Sequence, residues 1–444
     1  MTEKYITSKK KSFDTVALHA GQQPDPLNGA RAVPLYQTSS YVFESTEKAA
    51  ALFQMQEPGY IYSRNGNPTN AVLEERLTEL EGGIGGFAVS SGQAAISVAL
   101  LTLAKSGDEI ITTNALYGGT YNLFAETFKG FGVTVRFVNG HDSDEVEQAI
   151  NEKTKAIFTE SIGNPNAEIA DLHSLSAIAK RHRVPLVVDN TFTTPYLQKP
   201  IDFGADIVVF STTKFIGGHG TSIGGAIVDA GTFNWENERF PDFNRDKPSI
   251  GNTSFNKLAG KRAFITKARF ELGHDLGTSL SPFNSWLFIQ GLETLSFRMK
   301  QHVENAKKTA VYLRLHPDVE WVNYPGTPGD PQYELAKTYL PRGVSSIFTF
   351  GIKGGRESAE RFIDSLSLIS HLANVGDSKT LAIHPASTTH ARMTAEQQLQ
   401  AGVYPDQIRL SIGLEDIDDI LADLDQSLCK AKRGGDNHEG SSSH

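Results

Sequence analysis

Short apolar segments alternate with segments of helical periodicity from about residue 65 onward, and this alternation constrains the fold more than any other feature. Segments rich in Val, Ile and Phe predict strands at 87–90, 109–113, 133–138, 156–160, 186–189, 207–210 and 226–228. Apolar residues at three- and four-residue spacing predict helices at 70–80, 93–104, 120–128 and 172–182. Strands that alternate with helices are typical of α/β proteins, in which helices cover a mostly parallel sheet.

The alternation stops at residues 229–260, where Asn, Asp, Pro and Gly are mixed with aromatic residues. This composition predicts a long surface excursion outside the sheet. A helical stretch at 287–315 is followed by predicted strands at 344–350 and 407–411, a helix at 357–366 and a C-terminal amphipathic helix from residue 414. These elements predict a smaller α+β unit. The last residues, 434–444, lack apolar side chains and are expected to form a disordered tail.

Charge and cysteine content exclude several classes of protein. The 444 residues carry 42 Lys and Arg against 51 Asp and Glu, a net charge of −9 without a long basic run, so neither nucleic acid nor an anionic membrane is expected as partner. The single cysteine, Cys429, excludes an intrachain disulfide and a cysteine-based metal site, and we expect it to be buried. No apolar run indicates a signal peptide or a membrane span. A small-molecule partner and a cytoplasmic location are predicted.

Two strand ends carry residues that suit one kind of cofactor chemistry. Lys214 follows strand 207–210 and Asp189 ends strand 186–189, and ligands of open α/β sheets bind at such carboxyl ends. Taken singly, such a lysine is more often a solvent-exposed charge, and such an aspartate is more often a helix cap or part of a turn. Together they supply what pyridoxal phosphate needs, since its aldehyde requires an amine and its ring nitrogen requires a carboxylate.

A phosphate site is predicted where strand 87–90 passes through Ser91 and Gly92 into the next helix. Unpaired N–H groups at a helix start suit a dianion, and Gly92 permits close approach of the backbone. Ser211 and Thr213 add hydroxyl groups from the neighbouring strand end. The phosphate-binding motif of nucleotide triphosphatases is absent, and the glycines at 217–220 lack the dinucleotide pattern, so ATP and NAD are not expected.

Seven motifs make the chain resemble the Cys/Met-metabolism family of pyridoxal-phosphate enzymes over residues 15–430. They occur in the family's order: YIYSRNGNPT (60–69), SGQAAI (91–96), YGGT (117–120), ESIGNP (160–165), VDNTF (188–192), STTK (211–214) and RLSIGLE (409–415). The resemblance implies fold type I, with a mostly parallel seven-stranded sheet and a smaller C-terminal domain. It also implies pyridoxal 5′-phosphate as cofactor and no metal.

The resemblance implies a role for each motif residue. Lys214 is the Schiff-base lysine, and Tyr117 stacks on the cofactor ring and assists proton transfer. The remaining cofactor-binding residues implied are Asp189, Asn164, Thr191, Gly92, Gln93, Ser211 and Thr213, and the substrate-binding residues are Arg409 and Asn374. On composition alone Tyr117 is better explained as a packed aromatic residue. His384 and His390 are expected to be structural, since no carboxylate lies between them.

The resemblance further implies that Tyr62 and Arg64 reach the cofactor phosphate of a neighbouring subunit. A homodimer or homotetramer with shared active sites would then be the active form. The corresponding division of the chain is an N-terminal arm at 1–64, a cofactor domain at 65–275, a C-terminal domain at 276–430 and a tail at 431–444.

Within the family the chain is most similar to the O-acetylhomoserine sulfhydrylase branch. Methionine γ-lyases carry a cysteine where this chain has Gly119, and Asn374 and Lys379 replace the Ser and Glu of other branches. This implies conversion of O-acetyl-L-homoserine and sulfide, or a small thiol, to L-homocysteine or methionine and acetate, in methionine biosynthesis. Cystathionine γ-synthase or γ-lyase activity stays open, as does a non-catalytic binding or scaffold protein with the same fold.

Overall fold

Two sheets organise the computed structural model, which describes residues 11–433 apart from 165, 392, 393 and 401. The first sheet contains β1 Gly85–Val89, β2 Glu109–Thr113, β3 Thr134–Val138, β4 Thr154–Glu160, β5 Leu186–Asp189, β6 Ile207–Phe210 and β7 Gly225–Asp229. The second contains β8 Val319–Asn323, β9 Ile347–Ile352, β10 Ser370–His371, β11 Leu381–Ile383 and β12 Gln407–Ser411.

Helices precede, connect and cover these strands. Those up to the end of the first sheet are α1 Phe13–His19, α2 Thr46–Phe53, α3 Pro68–Glu81, α4 Gly92–Leu103, α5 Gly118–Asn122, α6 Phe128–Gly130, α7 Ser143–Ala149, α8 Leu172–His182 and α9 Thr194–Leu197. After it come α10 Pro241–Asn244, α11 Phe255–Ala259, α12 Ala263–Ala268, α13 His274–Leu276, α14 Pro282–Glu293, α15 Leu295–Leu315, α16 Tyr333–Tyr339, α17 Gly355–Ser365, α18 Ala395–Gln400 and α19 Ile417–Arg433.

The first sheet brings three strand ends to one edge. Its order is β1-β7-β6-β5-β4-β2-β3, and all neighbours are parallel except β7, which runs antiparallel to β1 and β6. Glu160 at the end of β4 therefore lies opposite Asp189 of β5, and Asp189 lies opposite Val209 of β6. The predicted α/β fold with a mostly parallel seven-stranded sheet is confirmed.

The central strand β6 is apolar throughout, and β5 is apolar up to its last residue, Asp189, because helices cover both faces of the sheet. Leu186, Val187 and Val188 of β5 are fully buried. The flanking helices begin at polar caps: Ser91 accepts a hydrogen bond from the N–H of Ala94, and Asp171 accepts one from that of Ser174. These caps fix where α4 and α8 start, and the start of α4 is where the phosphate site is predicted.

The second sheet has the order β10-β11-β12-β9-β8 and contains the predicted strand at 407–411 as β12. Only β10 and β11 are parallel among its neighbours. Helices α17 and α19 pack on each other and on this sheet through buried residues such as Phe362 and Leu424. The predicted smaller α+β unit is thereby confirmed.

Two expectations are wrong. Residues 229–260 are not a surface excursion, because Trp235, Phe240, Phe243 and Phe255 are buried. Their rings pack on one another, and Trp235 stacks on Phe243 with ring centroids 4.5 Å apart. Cys429 is exposed rather than buried, because it lies on the outer face of α19.

The predicted tail at 434–444 lies outside the described residues. Within the described part of the chain, no helix is both long and apolar enough to cross a bilayer.

Candidate active site

A cavity of about 310 Å³ lies at the carboxyl ends of β4, β5 and β6, against the start of α4 and one edge of the second sheet. Eleven of the thirteen predicted site residues line it: Gly92, Gln93, Tyr117, Asn164, Asp189, Thr191, Ser211, Thr213, Lys214, Asn374 and Arg409. The other two, Tyr62 and Arg64, do not line this cavity.

Lys214 lies in the turn that follows β6, and its side chain is largely buried. Its amine donates a hydrogen bond to Oδ1 of Asn374, which belongs to the second half of the chain. Burial lowers the pKa of the Lys214 amine to about 8, and the nearby positive charge of Arg409 acts in the same direction. At pH 7 roughly a tenth of this amine is therefore neutral and nucleophilic, a much larger fraction than for an ordinary lysine.

Asp189 is the last residue of β5, and only one of its two carboxyl oxygens accepts hydrogen bonds from the described residues. Oδ1 accepts hydrogen bonds from both the N–H and the hydroxyl of Thr191, the former at 2.9 Å, whereas Oδ2 accepts none from the described residues. Burial raises the pKa of Asp189 to about 6, against the opposing effect of the Thr191 hydrogen bonds. The Thr191 hydroxyl also accepts a hydrogen bond from the N–H of Ser211 at 2.8 Å, which ties the ends of β5 and β6 together.

Glu160 is a site residue that the sequence analysis quoted but gave no role. Its Oε1 accepts a hydrogen bond from the N–H of Tyr117 at 2.7 Å. Burial, and then the charge of Asp189, raise the pKa of Glu160 well above its usual range. The available signal was its position at the end of a strand adjacent to β5.

Other cavity residues carried no chemical signal in the sequence, since most are apolar or small. They are Ser91, Ile96, Thr120, Ile162, Phe192, Ile223, Ala373, Val375 and Thr389. They form the rest of the cavity wall.

The start of α4 has free backbone donors at the position where a phosphate site is predicted. The N–H groups of Gly92 and Gln93 have no acceptor among the described residues, whereas that of Ala94 is capped by Ser91. A Cβ atom on Gly92 would stand 2.6 Å from Cβ of Ser211, so only glycine lets α4 approach the end of β6 this closely. Unpaired donors at a helix start remain available to an anion.

Arg409 is a buried cation without a counter-ion. It lies on β12, is 8% exposed, and its guanidinium makes no hydrogen bond or ion pair with the described residues. Burial lowers its pKa to about 10, which still leaves it charged at neutral pH. Because an unpaired buried charge is costly, this arrangement favours an anionic ligand that occupies the cavity.

Tyr117 and Asn164 border the cavity from the loops after β2 and β4. Tyr117 is 51% exposed, so it is not a packed core residue, whereas Asn164 is buried. Tyr62 and Arg64 lie elsewhere: the guanidinium of Arg64 is 5.5 Å from the ring centroid of Tyr62 and donates to the carbonyl of His274 at 3.0 Å.

The two histidines near the cavity are held by protein partners. His384 contacts the Ser387 hydroxyl at 2.7 Å through Nδ1 and the Pro405 carbonyl at 2.8 Å through Nε2. His390 contacts the Thr389 hydroxyl at 2.9 Å. Among the described residues, no group of three His, Cys, Asp or Glu side chains is placed to hold a metal ion.

The free groups of the cavity fit pyridoxal phosphate. The unpaired amides of α4 suit its phosphate, the free Oδ2 of Asp189 suits a protonated ring nitrogen, and the amine of Lys214 suits its aldehyde. Arg409 is left over for a second anion, such as a substrate carboxylate.

Known proteins resemble this chain over almost its whole length. A protein of Leptospira meyeri named O-acetyl-L-homoserine sulfhydrylase is 52% identical over 424 residues, which is 94% of this chain and 96% of that protein. A homocysteine synthase of Schizosaccharomyces pombe is 49% identical over 423 residues, 95% of this chain and 99% of the relative.

A solved structure shares both the fold and the cofactor chemistry. The crystal structure of a putative O-acetylhomoserine (thiol)-lyase from Campylobacter jejuni superposes with a TM-score of 0.91 at 42% identity. It covers 94% of this chain and 100% of that one, and it contains a pyridoxyl-lysine monophosphate group. The sequence model of the family described as Cys/Met metabolism PLP-dependent enzymes matches residues 14–429 of this chain. The predicted cofactor is thereby confirmed, and the chain belongs to the family of Cys/Met-metabolism, pyridoxal-phosphate-dependent enzymes.

Proposed function

We propose that the protein is an O-acetylhomoserine sulfhydrylase, which replaces the acetate of O-acetyl-L-homoserine with sulfide and forms L-homocysteine. The observation that carries the proposal is the unpaired Arg409 guanidinium in the same cavity as the Lys214 amine. An amino acid presents a carboxylate to the first group and reacting carbon atoms to the second. Relatives at about half identity are named for this reaction.

The cofactor is held by residues from three strand ends and one helix. Lys214 supplies the amine, Asp189 the partner of the ring nitrogen, and Tyr117 the ring that stacks on it. The N–H groups of Gly92 and Gln93 hold the phosphate, and the remaining contacts come from Ser211, Thr213, Asn164 and Thr191. When bound, pyridoxal phosphate accepts the electron density released as bonds at the substrate's α carbon break.

Three side chains act directly on the substrate. Arg409 binds the α-carboxylate with its two-pronged guanidinium and so fixes the amino acid in one orientation. Lys214, whose pKa of about 8 lets it both accept and release protons near neutral pH, moves protons at the α and β carbons. Asn374 accepts a hydrogen bond from the Lys214 amine and aims it.

The remaining polar groups keep the charges of the cavity in place. Glu160 holds the backbone of Tyr117, and its raised pKa favours the neutral form, so Asp189 is the carboxylate proposed to face the ring nitrogen with a negative charge. Sulfur enters as a substrate, since Cys429 is exposed on α19 and does not line the cavity.

The proposal extends to the assembly. Tyr62 and Arg64 serve the phosphate of a neighbouring subunit, in a homodimer or homotetramer with shared sites. Support comes from their position outside this chain's own cavity and from the 43% exposure of Tyr62. The proposed units are the arm at 1–64, the cofactor domain at 65–275 and the C-terminal domain at 276–430. A cytoplasmic location fits the single cysteine.

The test compares wild-type protein with Lys214→Ala and, as control, Lys337→Ala at an exposed lysine. Homocysteine formation from O-acetylhomoserine and sulfide is measured for all three proteins. Because a positioned general base contributes about 10²–10⁴-fold, Lys214→Ala is expected to lower kcat at least a hundredfold, whereas Lys337→Ala leaves it unchanged. A Lys214→Ala protein with full activity overturns the assignment.

Changing the second substrate separates the alternatives. Faster turnover with cysteine than with sulfide indicates a cystathionine γ-synthase, and release of product without any nucleophile indicates a γ-lyase. A visible absorbance band of a Schiff base with Lys214 that borohydride bleaches would exclude a non-catalytic binding or scaffold protein with this fold. O-Succinylhomoserine and methanethiol complete the series, and the proposed function requires the acetyl ester and sulfide to give the highest kcat/KM.

A further inference from the structure

One buried face of helix α15 touches the segments that follow both Lys214 and Arg409. Arg298, His302 and Asn305 are spaced by four and three residues and so lie on the same side of the helix. All three are buried, and none lines the active-site cavity. They are polar groups that neither the cofactor nor the substrate uses.

Arg298 holds the turn that carries Lys214. Its guanidinium donates to the carbonyls of Phe215 at 2.6 Å and Ile216 at 3.1 Å, which follow Lys214 directly, and to that of Gly291 on α14 at 2.7 Å. No carboxylate among the described residues lies within ion-pair distance of it. A charge buried without a counter-ion is costly, and among the described residues it is stabilised by these three carbonyls and by the hydroxyl of Thr294, which accepts a hydrogen bond from Nε at 3.3 Å.

The next two residues of this face hold the other side of the site. The ring of His302 packs edge-on against Phe215, with centroids 5.2 Å apart, and its Nδ1 donates to the carbonyl of Ile412 at 2.7 Å. Asn305 donates to the carbonyls of Gly413 at 3.2 Å and Glu415 at 2.9 Å. Residues 412–415 directly follow β12, the strand of Arg409.

We propose that Arg298 is a positioning residue that fixes the separation between the Lys214 amine and the Arg409 guanidinium. It ties the turn after Lys214 to the helix that also holds the segment after β12. A substrate amino acid has a fixed distance between its carboxylate and its α carbon, so the separation of the two side chains must match it. The proposal rests on the roles proposed above for Lys214 and Arg409.

The chain offers a matched control for an ordinary buried arginine. Arg76 on α3 is fully buried, donates to the carbonyl of Ala20 at 3.1 Å, and pairs with Glu293 of α14 at 3.3 Å. It thus also braces α14, but it neither lines the cavity nor contacts the turn after Lys214. Arg76→Lys reports what loss of a buried guanidinium does to stability alone.

The experiment compares Arg298→Lys with Arg76→Lys by three measurements. Hydrogen exchange of the cofactor-free protein reports the opening of residues 214–218. The pH midpoint of the visible absorbance reports the environment of Lys214 in the holoenzyme. Steady-state kinetics report KM for O-acetylhomoserine and for sulfide, and kcat.

Both variants are expected to lower the thermal unfolding temperature. Only Arg298→Lys is expected to speed exchange at 214–218, shift the absorbance midpoint and raise KM for O-acetylhomoserine, with kcat/KM lower by roughly ten- to a hundredfold, because small misplacements of reacting groups cost that much. KM for sulfide stays unchanged. An Arg298→Lys protein that matches Arg76→Lys in all three measurements overturns the proposal.

His302→Phe and Lys214→Ala distinguish failure of this proposal from failure of the proposed function. His302→Phe retains the ring contact with Phe215 and removes only the hydrogen bond to the carbonyl of Ile412. If Arg298→Lys fails to fold, this variant tests whether α15 positions the segment that follows β12 and Arg409. An unchanged KM for O-acetylhomoserine then overturns the proposal. If Lys214→Ala keeps full activity, the proposed function falls. If Lys214→Ala is inactive while Arg298→Lys behaves like Arg76→Lys, only the role of Arg298 falls.

Discussion

At the scale of single residues, the two charged residues Arg409 and Asp189 are distinguished by polar atoms that have no protein partner among the described residues. Arg409 has no partner among the described residues, and one oxygen of Asp189 accepts no hydrogen bond from them. The strand-end position of Asp189 predicted that residue from the sequence, whereas Arg409 lies in the middle of β12 and its role was implied by the family resemblance. Glu160 has the same local signal, but its role depends on lying opposite Asp189 and beneath Tyr117, which only the strand register determines.

The lowered pKa of Lys214 predicts unusual reactivity in the cofactor-free protein. Burial and the charge of Arg409 disfavour the protonated amine, so it loses its proton near pH 8 and becomes reactive at lower pH than ordinary lysines. Competitive acylation followed by peptide mass spectrometry is expected to give a midpoint near pH 8 for Lys214. Lys337 is the control, since its hydrogen bond with Glu334 raises its pKa above the usual value. Parallel labelling curves for the two lysines contradict the prediction.

At the scale of elements, the bounds of a strand or helix were predicted correctly where one strong local signal marks the end of that element. Strands β2, β5, β6 and β12 and helix α8 have the predicted bounds. The predicted helix at 287–315 instead begins earlier and is divided into α14 and α15 at Thr294, whose backbone leaves the helical region. No Pro or Gly marks that break. The buried strand β9 begins three residues later than predicted, after Ser345 and Ser346, and ends two residues later, because Gly351 and Ile352 continue the strand.

The start of α4 carries the next prediction. Gly92→Ala places a methyl group 2.6 Å from Cβ of Ser211 and pushes the helix start away from the end of β6. We expect the Kd for pyridoxal phosphate to rise roughly tenfold, since overpacking costs about 1–3 kcal/mol. Titration of the cofactor-free protein, followed by visible absorbance, measures this Kd.

Gly130→Ala is the matched control, because its added methyl group meets open space at the end of a helix. Its Kd for pyridoxal phosphate should equal that of the wild type, and its stability should be equal or slightly higher. Equal affinity of the Gly92→Ala and wild-type proteins would show that the cradle does not depend on this close approach.

At the scale of the whole molecule, the large sheet separates two apolar layers. Neighbouring residues of β5 belong to different layers: Val188 packs with the C-terminal half of the chain, whereas Val187 packs with residues such as Trp235 and Phe264. The segment 229–260 completes that second layer. Its irregular sequence carries no period of strand or helix, so its burial could not be predicted before the sheet face that it covers was known.

The same scale decides whether Arg64 serves its own chain or a neighbour. Its guanidinium lies outside the cavity and bonds to the carbonyl of His274, so within one chain Arg64→Ala has no route to the cofactor. If the arm reaches a neighbouring subunit, Arg64→Ala and Lys214→Ala are each inactive alone. In a mixed oligomer, however, one site then combines an intact Lys214 with an intact Arg64.

Co-expression of the two variants with different tags, followed by purification of the mixed oligomers, should therefore partly restore homocysteine formation. Lys214→Ala mixed with Asp189→Asn is the control, since both changes lie in one chain's cavity and no mixed oligomer contains an intact site. An Arg64→Ala protein with wild-type activity, or mixed oligomers that stay as inactive as the control, contradicts a shared site. Restoration in the first mixture alone requires that each cavity be built from two chains, because no rearrangement within a single chain produces it.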